Sequence, residues 1–115
     1  MATMTKMTTN EQLLDAVEAS NQKALLLFKH STRCPISARA YEQVTAYLKD
    51  QPNEEVKYAM IDVIADRALS NEAAESLNIK HESPQVILVR QGAPVWHTSH
   101  SHITTEALRG NLDKL

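Results

Sequence analysis

The residues best suited to chemistry lie in one short stretch and two histidine-bearing segments. His30-Ser-Thr-Arg-Cys-Pro-Ile-Ser37 holds Cys34, the sole cysteine of the 115 residues. It falls between an apolar run, Ala24 to Phe28, and a helical pattern that opens at Pro35. This order places Cys34 at a helix N-cap with Pro35 at the first helical position, where its missing N–H costs nothing. The unpaired N–H groups of Ile36 and Ser37 should then face the sulfur, and the helix dipole and the Arg33 cation both favour a thiolate. The Ser37 hydroxyl, one turn on, is placed to donate to that thiolate. A thiolate so placed is a nucleophile for disulfides; the competing reading is an inert, buried structural cysteine.

His30 and His81 are expected near this stretch, where either can raise the local positive potential or handle a proton, although the favoured reading of each is a plain surface residue. His97, His100 and His102 form a His-x-x-His-x-His run after the last strand pattern. No acid or thiol sits at ligand spacing beside them, so solvated loop histidines are expected and no metal site. Asp62, at a strand end, reads as a turn-facing acid, and Trp96 as a core or edge residue.

Several elements must hold these groups. Residues 1–9 offer at most a short edge strand. Thr9 and Gln12 form a capping box for a helix over residues 10–22, with Leu13, Leu14 and Val17 on one face. Ala24-Leu-Leu-Leu-Phe28 has the length and continuity of a strand covered on both faces. Ile36, Ala40, Val44, Tyr47 and Leu48 keep a helical period to about Asp50, where Pro52-Asn53 breaks it. A strand follows over Val56 to Val63, then an amphipathic helix from Asp66 to Leu77. Val86 to Val89 and Pro94 to Thr98, joined across Gly92, predict a β-hairpin. A last helix runs from about Thr104 to Lys114. Strands alternating with helices imply parallel pairing, and the final hairpin an antiparallel edge.

The totals are consistent with one domain over residues 1–115. The chain is 43% hydrophobic with a net charge of −2, which favours neither nucleic acid nor an anionic membrane as partner. One cysteine excludes an intrachain disulfide and fits a reducing cytosol. The N-terminal residues lack the apolar core of a signal peptide, and no apolar run is long enough to span a bilayer, so a cytoplasmic location is expected.

Cys34-Pro35-Ile36-Ser37 lies where thioredoxin-like proteins carry Cys-x-x-Cys, with serine in place of the second cysteine. Leu77-Asn-Ile-Lys-His-Glu-Ser-Pro-Gln-Val-Ile-Leu-Val-Arg-Gln-Gly92 is similar to the thioredoxin segment that bears a cis-proline, a strand and a glycine turn; Pro84 takes the cis-proline position. More narrowly, Phe-Lys-His-Ser-Thr-Arg-Cys-Pro-Ile-Ser together with Trp96-His-Thr-Ser-His100 resembles the YtxJ family, the monothiol bacilliredoxins, from about Asn10 to Leu112. The resemblance implies an α/β fold: a thioredoxin-like three-layer α/β/α sandwich with a central mixed sheet and a C-terminal antiparallel hairpin. Two departures from thioredoxin stand out. Phe28 occupies the position of the buried acid six residues before the attacking cysteine, and Arg33 replaces the usual aromatic residue.

With no second thiol, Cys34 can attack a mixed disulfide between a target protein and a small thiol, release the reduced target and retain the small thiol. A free low-molecular-weight thiol or a partner reductase must then regenerate it. The resemblance implies that the small thiol is bacillithiol, acting as co-substrate with no tightly bound cofactor, and that the targets are bacillithiolated proteins. It also implies that the extended Ser83 backbone, Pro84, and the loop residues Thr98, Ser99 and His100 contact the bound thiol or substrate. Two other readings stand beside this one. The first is a glutathione- or cluster-type monothiol glutaredoxin, disfavoured because Pro35 and Ile36 depart from Cys-Gly-Phe-Ser. The second is a thioredoxin-like binding module without catalytic duty.

Overall fold

The computed structural model describes residues 2–115. The Thr9 capping box is present: Thr9 Oγ1 accepts from the Gln12 N–H (3.1 Å) and Gln12 Oε1 accepts from the Thr9 N–H (3.2 Å). It opens α1 (Asn10–Ala19), which ends three residues earlier than its pattern suggested, in hydrogen-bonded turns through residues 20–23. The apolar run forms β2 (Ala24–His30), which continues past Phe28 through Lys29 and His30. Helix α2 (Pro35–Lys49) starts at the proline and stops before Gln51, whose φ is +52°, and Pro52. After β3 (Val56–Asp62), α3 (Arg67–Leu77) is closed by Asn78 in the left-handed conformation. The hairpin consists of β4 (Gln85–Arg90) and β5 (Ala93–Ser99). Its two turn residues, Gln91 and Gly92, both have positive φ, as a turn matched to strand twist requires. Thr104 caps α4 (Thr105–Leu112) by accepting from the Ala107 N–H. A short N-terminal strand, β1 (Met4–Lys6), lies on the sheet edge beside β3.

The strand order is β1-β3-β2-β4-β5. Strands β1, β3 and β2 are mutually parallel, as the alternation of strands and helices predicts. Parallel pairing fails at β4, which runs antiparallel to β2 with Gln85 opposite Lys29. Residues 78–84 bring the chain to the end of the sheet where β2 finishes, so β4 starts there and runs back.

Strand alternation divides the core into two layers. Leu26 and Phe28 face α2 and α4, packing with Val44, Tyr47, Leu108 and Leu112. Leu25 and Leu27 face α1 and α3, packing with Leu13, Ala16, Leu69 and Ala73. Trp96 packs part-buried against the α2/α4 side. The result is a three-layer α/β/α sandwich with a mixed sheet, and the C-terminal end of β2 delivers the Cys34 loop to the rim.

Candidate functional site around Cys34

Residues 31–34 link β2 to α2, and Cys34 is the N-cap with φ −110° and ψ 122°. Its backbone N–H donates to Ser31 O (3.4 Å) and its carbonyl accepts from the Ala38 N–H (3.0 Å). Its side chain makes no capping hydrogen bond, and the residue is half-buried. The Ile36 and Ser37 N–H groups, in the first turn, lack intrahelical acceptors. Arg33 and Pro35 are exposed on either side of the thiol.

Ser37 differs from its expected role as a donor to the sulfur. It is fully buried, and its Oγ accepts from the Ser31 N–H (2.9 Å) and meets His30 Nδ1 at 2.7 Å. The hydroxyl therefore shapes the Cys34 loop from beneath. His30 stacks between Phe28 and Tyr41, with ring centroids 5.4 and 5.0 Å away. Burial pulls the His30 imidazole below its ordinary value, with Asp62 opposing. It is thus neutral at pH 7, a wall of the loop and not a cation beside the thiol. Asp62 folds back as a turn acid, its Oδ1 accepting from the Ile64 and Ala65 N–H groups (2.9 and 3.0 Å). Those bonds, with the Ala65 bond leading, hold its carboxyl below the usual value.

The Ser83–Pro84 peptide is cis, and Pro84 is buried. Its carbonyl accepts from the His100 N–H (2.9 Å), which ties the proline loop to the segment after β5. That segment is a 3₁₀ turn over His100–His102, entered through His100 at φ +54°. His100 Nδ1 lies 3.1 Å from Ser99 Oγ. Thr98 and Ser99 are half-buried at the end of β5, opposite Val86 and Gln85. Ser83, Pro84, Ser99 and His100 are therefore joined into one rim by strand pairing and the His100–Pro84 bond. His97 and His102 are exposed. Among the described residues no group of three or more His, Cys, Asp or Glu is disposed to hold a metal ion.

The structure turns His81 away from the thiol. Because Lys29 alternates with Phe28 and His30, its ammonium passes to the α1/α3 face. There it donates to Ser70 O (3.0 Å) and meets His81 Nδ1 at 3.2 Å. Ser70 Oγ also approaches His81 Nδ1 (3.3 Å). Burial, and then the Lys29 ammonium, push His81 below its ordinary value. Lys29 escaped the reading of the sequence, although a lysine continuing a five-residue apolar run was its signal. It is 0% exposed, and burial lowers its ammonium from 10.5 to about 8. A folded-state value below the unfolded one means folding disfavours the charged form. That cost is full below pH 8 and is relieved as pH rises toward 10.5. The Tm of wild type minus that of Lys29→Met is therefore expected to rise between about pH 7.5 and about pH 9.5 in paired thermal melts. A constant difference would contradict the assignment.

Comparison with known proteins fits this geometry. The sequence model of a family described as monothiol bacilliredoxin BrxC matches residues 5–108. The chain belongs to the monothiol bacilliredoxin family. A solved structure described as a candidate oxidoreductase with a thioredoxin fold is 32% identical, with a TM-score of 0.82 over 93% of this chain and 91% of the other. Two thioredoxins share the fold at lower identity. The Fasciola hepatica protein is 16% identical with a TM-score of 0.75, covering 96% of this chain and 98% of the other. Mitochondrial thioredoxin 3 of Saccharomyces cerevisiae is 15% identical with a TM-score of 0.74, covering 97% and 95%. The bacilliredoxin family and the fold together indicate a thiol oxidoreductase.

Proposed function

We propose that this bacilliredoxin removes bacillithiol from protein mixed disulfides through Cys34. The observation that carries the reading is the pairing of a half-buried N-cap cysteine, free of any capping bond, with Ser37, instead of a second thiol, one turn on. The Cys34 thiolate attacks the bacillithiol sulfur of the mixed disulfide. A bond forms between Cys34 Sγ and that sulfur; the sulfur–sulfur bond to the target breaks, and the target leaves as a thiolate that takes a proton from water. Disulfide is exchanged for disulfide, with no net oxidation. Ser37 cannot repeat the exchange, so the adduct persists until a free small thiol or a partner reductase attacks it. Arg33 and the first-turn N–H groups of α2 support the thiolate, while Ser83, Pro84, Thr98, Ser99 and His100 bound the space for the incoming thiol. The reducing cytosol is the compartment this chemistry suits.

The test presents one target protein in two forms, bacillithiolated and glutathionylated, and follows release of its free thiol. Faster release from the bacillithiolated form is expected. Equal rates, or a preference for glutathione, would overturn the assignment of the small thiol.

A further inference from the structure

A groove of about 280 Å³ opens between α2 and the 3₁₀ turn, lined by Ile36, Arg39, Ala40 and Gln43 on one side and His100, Ser101, Ile103 and Thr104 on the other. Its volume is just below that of sites holding whole drug-sized ligands, so it suits one end of a small molecule. Three of the polar side chains along it, Arg39, Gln43 and Thr104, have a donor to offer. Gln43 Oε1 is occupied by the Thr105 N–H (2.9 Å), which leaves its amide NH₂ to face a ligand. Thr104 Oγ1 accepts from the Ala107 N–H (3.1 Å), so its O–H proton remains to give. Arg39 is exposed and has no ion pair among the described residues. Among the described residues no acid lines the groove; Glu42 and Glu106, the acids adjacent in sequence, are exposed outside it. Ile36, Ala40 and Ile103 supply the apolar surface.

Such a lining is complementary to a carboxylate, which only accepts hydrogen bonds and pairs well with a guanidinium. The groove begins at Ile36, in the first turn of α2 and two residues beyond Cys34. Arg39 is five residues beyond Cys34, about 7.5 Å along the helix axis. The His100 N–H to Pro84 O bond joins the groove's far wall to the cis-proline rim.

We propose that the groove binds the carboxylate-bearing end of the small thiol, with Arg39 as the residue that selects for anionic thiols. The proposal rests on the reading of Cys34 as a nucleophile for small-thiol disulfides.

The experiment uses two symmetric disulfides with the same reacting end, those of N-succinylcysteamine and N-acetylcysteamine. They differ in a carboxylate lying several bonds from the sulfur. Adduct formation on Cys34 is followed by intact mass in wild type, Arg39→Ala, Arg39→Lys and Arg33→Ala. Wild type is expected to favour the succinyl disulfide by about tenfold, the scale of one charge-assisted contact at a solvent-facing site. Arg39→Ala should bring the ratio of the two rates close to one, with Arg39→Lys between. A wild-type ratio near one, or a wild-type preference that survives in Arg39→Ala, overturns the groove while leaving Cys34 chemistry intact. Loss of the preference in Arg33→Ala but not in Arg39→Ala places selection at the Cys34 loop and also overturns it. Failure of Cys34 to react with either disulfide defeats the underlying reading and the proposal with it.

Discussion

Replacing Cys34 with serine is expected to lower release of the target thiol by roughly 10³-fold or more, the order found when an enzyme loses its nucleophile. A hydroxyl cannot form the sulfur–sulfur bond on which the transfer depends. The fold should survive, because the Cys34 side chain makes no capping hydrogen bond that would be lost. Its backbone bonds to Ser31 and Ala38 remain available to serine. Serine is also a preferred N-cap, so Cys34→Ser should melt no lower than wild type. Target release measured beside a thermal melt checks both halves. Release at the wild-type rate from a folded Cys34→Ser protein would show that the chemistry lies elsewhere.

Replacing Ser37 with cysteine is expected to change the product. Positions three apart on a helix are neighbours, and Ser37 lies directly beneath the Cys34 loop. A thiol there can attack the Cys34–small-thiol bond. A Cys34–residue-37 disulfide forms, and the small thiol departs with the electron pair of the broken bond. Intramolecular attack gains effective concentration, so the lifetime of the adduct should fall by roughly 10²-fold or more. Intact mass would then show loss of two hydrogens in place of an added small thiol. The change also removes the hydroxyl that meets His30 and accepts from Ser31, at a cost of about 1–2 kcal/mol in stability. An adduct as long-lived as in wild type would show that side chain 37 does not reach the reacting sulfurs.

Much of this arrangement was legible in the sequence because its signals are local. Pro35 after Cys34 marks a helix start, Thr9 and Gln12 mark another, and Gly92 between apolar segments marks a hairpin. Three features had no such local signal. Strand alternation sends Lys29 to the face opposite His30, so His81 meets Lys29 and Ser70 instead of the thiol loop. The buried demands of His30 and Ser31 claim the Ser37 hydroxyl, which spacing alone directed at Cys34. The 3₁₀ turn begins at a histidine with positive φ, a position at which glycine would have been the signal. The groove between α2 and that turn is consequently a property of the folded chain, invisible until both walls are in place.

The central claim is that Cys34 takes the small thiol from its target in one step and keeps it. The direct measurement mixes wild-type protein with one equivalent of a bacillithiolated target and reads both chains by intact mass under non-reducing conditions. The prediction is one bacillithiol on Cys34 for each target returned to its free thiol. A disulfide-linked complex of the two chains as the accumulating product, or a target that keeps its bacillithiol, would contradict it.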